Sequence, residues 1–148
     1  MIVEYVVGFL FSPDQRKVAL IQRLKPEWQR GRYNGIGGQI ETRDITRAAS
    51  KDGTGLTAMR RYGLEETAVD IPNWQHYADL ISKYYTTHCF CAFDYKIDDL
   101  KSPTDEQMHV FRINALPDQL VHNAKWLIDM ALNIVMVEGN FYRIYEGH

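Results

Sequence analysis

Cysteine is scarce in this chain of 148 residues, and the two that occur, Cys89 and Cys91, stand close together in the segment THCFC. Alternation along a β-strand would place both on one face roughly 7 Å apart, which is too far for a comfortable disulfide bond. The sequence therefore predicts reduced thiols and a cytoplasmic location. A zinc site on these cysteines and His88 is disfavoured, because no second Cys/His pair follows at zinc spacing.

An excess of one charge is also absent, since 17 Lys and Arg residues face 19 Asp and Glu residues. Without a general positive field, no nucleic-acid polymer is expected as a partner, whereas a compact anion at one local site is compatible. Long apolar runs are missing too, so no membrane partner is expected. The apolar N-terminus MIVEYVVGFLF carries Glu4 and lacks a signal peptide's basic region, which favours a strand.

The apolar pattern predicts one α/β domain over residues 1–148. Strands are expected at 2–11, 17–24, 36–40, twice within 76–95, at 106–113 and within 140–145. Helices are predicted over 56–70, where apolar residues recur three and four positions apart, and over 116–133, which carries an apolar stripe. The polar, glycine-containing segment 42–55 is expected to be largely loop.

The stretch RYNGIGGQIETRD, residues 32–44, places three glycines directly before acidic residues. Glycine allows a ligand to approach the main chain closely, although a turn between strands also explains such a run. In the helix predicted over 56–70, Arg61 lies one turn before Glu65 and Glu66. A solvent-exposed helix face that carries an ion pair would explain this arrangement. Hard carboxylate oxygens beside a glycine loop instead favour a Mg²⁺-assisted phosphate site.

The combination of GGQIE at 37–41, Asp44 and RYGLEETAV at 61–69 resembles the Nudix box. That box reads Gly, five residues, Glu, seven residues, then Arg-Glu-apolar-any-Glu-Glu-any-Gly-apolar. The flanking segments are similar to those of nucleoside-triphosphate-cleaving members, so the resemblance covers most of the chain. It implies a Nudix-type α/β/α sandwich with a mixed central β-sheet.

The resemblance also implies an activity, which is hydrolysis of a small-molecule nucleotide with Mg²⁺ or Mn²⁺. The predicted substrate is a nucleoside diphosphate-linked compound, foremost a nucleoside triphosphate cleaved to a monophosphate and pyrophosphate. The base is not identified, and the oligomeric state stays open, a homodimer included.

Each matching residue receives an expected role from the resemblance. The catalytic residues are expected to be Arg61, Glu65 and Asp44. The metal ligands are expected to be Glu65, Glu66, a carbonyl of Gly38 or its neighbour, and Glu106. Substrate contacts are expected from Asn34, Gly37, Arg23 and Tyr33, with Trp28 and Trp126 as candidate aromatic walls. Glu65 and Glu66 should both point toward the glycine loop.

Asn34 is expected in the nucleobase pocket, since its amide offers donors and an acceptor to a base edge. A turn residue with positive φ before Gly35 is its alternative role.

Departures from the box weaken the expected metal site. Sixteen residues separate Asp44 from Arg61 where the pattern has seven, so nine are extra. Tyr62 replaces the first glutamate of the helical run, and a phenol with a pKa near 10 is no carboxylate at neutral pH. A compensating carboxylate is expected from Glu41, Asp44, Asp52 or Glu106. The alternative function is a Nudix-fold nucleotide-binding or interaction domain that has lost turnover.

Overall fold

The computed structural model describes residues 2–47, 53–136 and 141–147. Within them a single mixed sheet holds eight strands: β1 (Val3–Phe11), β2 (Lys17–Gln22), β3 (Tyr33–Asn34), β4 (Ile36–Gln39), β5 (Gln75–Ile81), β6 (Tyr85–Phe93), β7 (Met108–Arg112) and β8 (Tyr142–Tyr145). The helices are α1 (Thr42–Arg47), α2 (Thr54–Thr67) and α3 (Ala124–Met136). The candidate ligand Asp52 lies outside the described residues.

The sheet is mixed because its central pair is parallel while most of its other pairs are antiparallel. The strand order is β3-β2-β1-β6-β5-β8, with β4 paired to β1 and β7 paired to β2. β1 and β6 run parallel over their full length, from Val3 beside Tyr85 to Phe11 beside Phe93. The predicted strands are therefore confirmed, including the two that flank Ser82 and Lys83.

Alternation along the strands sends successive apolar side chains to opposite faces of the sheet. In β1, Phe9 packs in the core beneath α3, and Leu10 packs in the core beneath α2. Both side chains are fully buried. Helices thus cover both faces, which is the predicted α/β/α arrangement. None of the helices among the described residues is long and apolar enough to cross a membrane.

Both cysteines lie in the core beneath α3 as free thiols, as predicted. Burial raises the pKa of Cys91 to about 12, so this thiol is protonated and unreactive at neutral pH.

Three helical assignments differ from the sequence prediction, and the smallest change is in α2, which spans Thr54–Thr67 instead of 56–70. Residues 42–47 form α1 instead of a loop, because the Asp44 carboxylate accepts a 2.8 Å hydrogen bond from the Glu41 backbone N–H and caps the first turn. α3 begins at Ala124 and not at residue 116. The preceding segment runs alongside β3, where Tyr33 donates to the Gln119 carbonyl and accepts from the Val121 N–H. Tertiary pairing overrides the helical pattern there.

The end of α2 carries a conformational cost that can be measured. Ala68 terminates the helix with a φ of 63°, a left-handed conformation that costs an L-residue about 1–2 kcal/mol and glycine very little. Ala68→Gly is expected to raise the free energy of unfolding by about 1 kcal/mol in urea denaturation. The matched control Ala58→Gly, in the buried interior of the same helix, should lower it by about 1 kcal/mol. A destabilised Ala68→Gly protein would contradict this assignment.

Candidate active site

A cleft of about 870 Å³ opens beside the glycine-rich strand β4. Its lining includes several of the residues singled out in the sequence, namely Arg23, Asn34, Gly37, Gly38, Tyr62, Glu66 and Glu106. These residues come from segments as far apart as the chain just after β2 and the chain just before β7. Folding has gathered them at one place.

Arg23 stands at the centre of this polar group and is only 6% exposed. Its Nη1 donates to Glu66 Oε2 at 2.8 Å and to Glu106 Oε1 at 3.2 Å. Its Nη2 donates to the carbonyl oxygens of Gly35 at 2.6 Å and Gly37 at 3.2 Å. Burial alone would lower the pKa of Arg23, but the charges of Glu66 and Glu106 outweigh burial and raise it. Two carboxylates and two carbonyls therefore surround one cation.

The segment predicted as a glycine loop is strand β4 in the structure, and it makes this convergence possible. Gly37 has a φ of +147°, and a Cβ there would collide with the Val6 carbonyl oxygen. Its N–H donates to Glu66 Oε1 at 2.9 Å, which ties α2 to β4. On the other side, Glu106 Oε2 accepts from the Leu24 N–H at 2.7 Å. Both carboxylates are thus held by backbone donors as well as by Arg23.

Glu66 points toward the glycine loop as predicted, and Glu65 does not. Glu65 instead forms ion pairs of 3.2 Å with Arg43 and with Arg61, and its side chain is 44% exposed. Adjacent residues on a helix point about 100° apart, so only one of the two can face the cleft. The structure therefore does not bring Glu65 to the other expected metal ligands.

Arg61 and Asp44 form a buried ion pair away from the centre of the cleft. Arg61 Nε lies 2.6 Å from Asp44 Oδ1 and Nη2 lies 2.7 Å from Oδ2, a bidentate geometry. Burial alone would raise the pKa of Asp44, yet the hydrogen bonds from Arg61 lower it. Asp44 has no exposed surface and cannot touch a substrate. Its expected catalytic role is corrected to a positioning one, because the pair locks α1 onto α2.

Tyr62 stands where the resemblance predicts a glutamate, and it places a neutral phenol there. Its hydroxyl donates to the Gln39 carbonyl at 2.6 Å, and the Arg61 guanidinium lies 4.1 Å from its ring centroid. Burial raises the pKa of Tyr62 above its ordinary value. A Cβ on Gly38 would come within 2.7 Å of the Tyr62 hydroxyl oxygen. Gly38 is thus needed for the close packing of this tyrosine.

The other expected substrate contacts divide between cleft and core. Asn34 lines the cleft in β3, and its Oδ1 accepts from the Gly35 N–H at 2.8 Å. It is not among the positive-φ residues of the described chain, so the alternative turn role is wrong. Trp28 also lines the cleft. Tyr33 packs against Phe111 with ring centroids 5.0 Å apart, and Trp126 packs on the core beneath α3.

The far wall of the cleft comes from residues that the sequence analysis did not single out. Tyr85 and Thr87 project from β6, while His122 and Asn123 lie just before α3. No local pattern marks these residues, since only the pairing of β6 with β1 and the position of α3 bring them beside the glycine loop.

The oxygens around Arg23 fit a divalent cation chemically. Carboxylates and carbonyls are the hard ligands that Mg²⁺ and Mn²⁺ take, and here they already surround a positive charge. Glu66, Glu106 and the Gly37 carbonyl are the groups that would hold the ion. Arg23, expected at a phosphate, instead contacts these same oxygens.

Comparison with known proteins identifies the fold. The sequence matches no protein-family model and no curated protein. A Nudix hydrolase from Nitrosomonas europaea aligns at a TM-score of 0.72 with 15% identity, over 97% of this chain and 79% of that chain. The Nudix domain of Shewanella oneidensis NrtR complexed with ADP-ribose aligns at 0.68 with 22% identity, over 91% and 89%. An ADP-ribose pyrophosphatase from Streptococcus suis aligns at 0.66 with 15% identity, over 99% and 100%. The predicted Nudix fold is confirmed.

Proposed function

We propose that the protein is a pyrophosphohydrolase that cleaves a nucleoside diphosphate-linked compound in the cleft with Mg²⁺ or Mn²⁺. The observation that carries this proposal is the convergence of Glu66, Glu106 and the Gly37 carbonyl on one cationic position beside the glycine loop. The shared fold with proteins named Nudix hydrolase and ADP-ribose pyrophosphatase supports it.

The chain's own residues supply charge, position and recognition. When bound, the divalent ion would neutralise phosphate charge and provide a nucleophilic water at neutral pH. Gly37 holds Glu66 through its N–H, and the Arg61–Asp44 pair fixes the helix that presents Glu66. Arg23 is a second cation at the same position. Its guanidinium becomes available to a substrate phosphate once Glu66 and Glu106 bind the divalent ion instead of Arg23.

The size and lining of the cleft favour a nucleotide. A volume of about 870 Å³ lies within the roughly 300–1,000 Å³ typical of small-molecule sites. Asn34 offers an amide to a base, and Trp28 and Tyr85 add aromatic rings to the lining of the same cleft. A nucleoside triphosphate cleaved to a monophosphate and pyrophosphate is the proposed substrate. ADP-ribose is the second compound to test, since one protein of the same fold is named ADP-ribose pyrophosphatase and another is complexed with ADP-ribose.

A nucleotide panel tests the proposal directly. Nucleoside triphosphates, deoxynucleoside triphosphates, dinucleotides and ADP-ribose are incubated with the protein and Mg²⁺ or Mn²⁺. Phosphate is read after added pyrophosphatase for the triphosphates and after added phosphatase for the others. We expect turnover of one compound class that EDTA abolishes. If no compound in the panel is hydrolysed while calorimetry still shows nucleotide binding, the proposal that the protein is a hydrolase is rejected.

That second result would support a nucleotide-binding domain without turnover. Two observations favour this candidate: Tyr62 replaces a carboxylate, and the Arg23 guanidinium already bonds the remaining oxygens. In this case Arg23 would stand permanently where the hydrolase needs an ion.

Substitutions at Tyr62 and Glu106 separate the two candidates. For a hydrolase in which Glu106 replaces the missing carboxylate, Tyr62→Glu should change kcat less than tenfold. Glu106→Gln should then lower it by about 10²-fold or more, the typical loss for a group engaged in the chemistry. Tyr62→Phe, which removes only the hydroxyl bonded to Gln39, is the matched control. A silent parent that gains hydrolysis through Tyr62→Glu would identify the binding domain instead.

A further inference from the structure

A second group of side chains that could ligate a metal lies outside the cleft. His76 Nε2 and His88 Nδ1 lie 2.6 Å and 2.8 Å from the same atom, Asp79 Oδ1. The three possible ligand atoms lie within 4.8 Å of one another. Leu80 and Thr87, the strand neighbours of Asp79 and His88, line the cleft. Because alternate residues point to opposite faces, this His76–Asp79–His88 cluster faces the other side of the sheet.

A β-bulge brings the cluster together. Asp79 and His88 are direct partners across β5 and β6, and the register shifts between His76 and Ala78. In a regular strand, residues three positions apart would point to opposite faces. The extra residue turns His76 to the side of Asp79 instead. Bulges often re-aim a side chain in this way at functional sites.

We infer that the His76–Asp79–His88 cluster binds a divalent transition-metal ion, for which Zn²⁺ is the best match. Two imidazoles and a carboxylate form a mixed nitrogen and oxygen set that suits Zn²⁺ and leaves a fourth tetrahedral position open. Zinc bonds of about 2.0–2.1 Å place neighbouring ligand atoms about 3.3 Å apart. The present contacts of 2.6 Å and 2.8 Å need to widen by less than about 1 Å to admit the ion.

Neighbouring side chains fix the orientation of the two imidazole rings, as is usual for histidine ligands in metal sites. Glu4 Oε1 lies 3.0 Å from the Nε2 of His88, on the side away from Asp79. A carboxylate behind a histidine ligand fixes ring orientation and raises ligand basicity. The His76 ring stacks on Phe90 at 4.9 Å with a 21° interplanar angle and meets the edge of Phe141 at 4.9 Å. Both rings are therefore oriented before an ion arrives.

The cluster is accessible to an ion and to a small ligand. The side chains of His76 and His88 are 37% and 20% exposed. Both residues and Glu4 line a cavity of about 620 Å³, which is separate from the cleft and is also bordered by Trp74 and Leu56. The site does not depend on the proposed hydrolase function, because it shares no residue with the cleft.

Metal titration of the whole, untagged protein tests the inference. After chelator treatment and dialysis, Zn²⁺ is titrated calorimetrically and Co²⁺ is followed by visible absorption. With excess Mg²⁺ present to occupy the cleft, we expect one Zn²⁺ per chain at the cluster, where Mg²⁺ should not compete because imidazole is a poor ligand for it. Glu4→Gln should weaken Zn²⁺ binding about 10–100-fold, the usual loss when a carboxylate behind a ligand is removed. His88→Gln should weaken it further.

Control variants keep the result interpretable. His109→Gln changes a histidine that packs on Tyr33 instead, and Glu66→Gln changes the cleft, so both should bind Zn²⁺ like the parent. Glu4 is half-exposed, so its variant should fold even if His88→Gln does not. Unchanged Zn²⁺ affinity in Glu4→Gln and His88→Gln would overturn the inference. A Co²⁺–thiolate absorption band would do so as well, because it would place the ion on a cysteine.

Discussion

Replacing Glu66 with glutamine should lower metal-dependent hydrolysis by at least 10²-fold without unfolding the protein. Glu66 contributes one of the two carboxylates at the cationic position, 2.8 Å from the Arg23 guanidinium. An amide keeps the shape and loses the charge, so Mg²⁺ loses a hard anionic ligand. The amide oxygen can still accept from the Gly37 N–H, and Glu106 still neutralises Arg23. Circular dichroism should therefore match the parent.

Glu65→Gln is the matched control for this substitution. The two glutamates are adjacent on α2 and lose the same charge, but Glu65 faces Arg43 and Arg61 outside the metal group. We expect Glu65→Gln to retain kcat within about tenfold, since removing an exposed ion pair has a small effect. Rates are compared at saturating Mg²⁺ and over a Mg²⁺ titration. Equal losses in both variants would show that Glu66 has no special role in metal binding, and no loss in Glu66→Gln would show that the helix face is merely solvated.

Asp44→Ala should destabilise the protein by about 3–5 kcal/mol, the cost of removing one partner of a buried ion pair. Asp44 is fully buried, and the Arg61 side chain is 7% exposed. The substitution also removes the cap that receives the Glu41 N–H. Urea denaturation measures the effect, and the thermal midpoint should fall by roughly 6–20 °C for a chain of this size.

The neighbouring pair of Arg60 and Asp70 provides the control. Arg60 reaches Asp70 with a similar two-pronged geometry, at 3.3 Å and 2.8 Å. Both side chains are nearly half exposed, so Asp70→Ala should cost about 0–1 kcal/mol. Similar losses in the two variants would mean that the Arg61–Asp44 pair does not lock α1 onto α2.

Local periodicity predicted most of the secondary structure because the side chains that define a strand or helix face lie a few positions apart. Gly37 and Glu66 were also identifiable, since a backbone that must admit a close neighbour requires glycine and a cation site requires hard oxygens. The order of these features along the chain carried the resemblance to the Nudix box, and that resemblance predicted the fold.

Contacts between distant segments decided the rest. The sequence could not show that Glu66 rather than Glu65 faces the cleft, because the rotation of α2 depends on the buried Arg61–Asp44 pair. It could not show that Arg23 contacts the oxygens expected for a metal, since Glu106 lies 83 positions away along the chain. The pairing of His88 with Asp79 required the register of β5 against β6. Spacing along a chain encodes local geometry, whereas charge neutralisation and strand register are settled only when the segments pack.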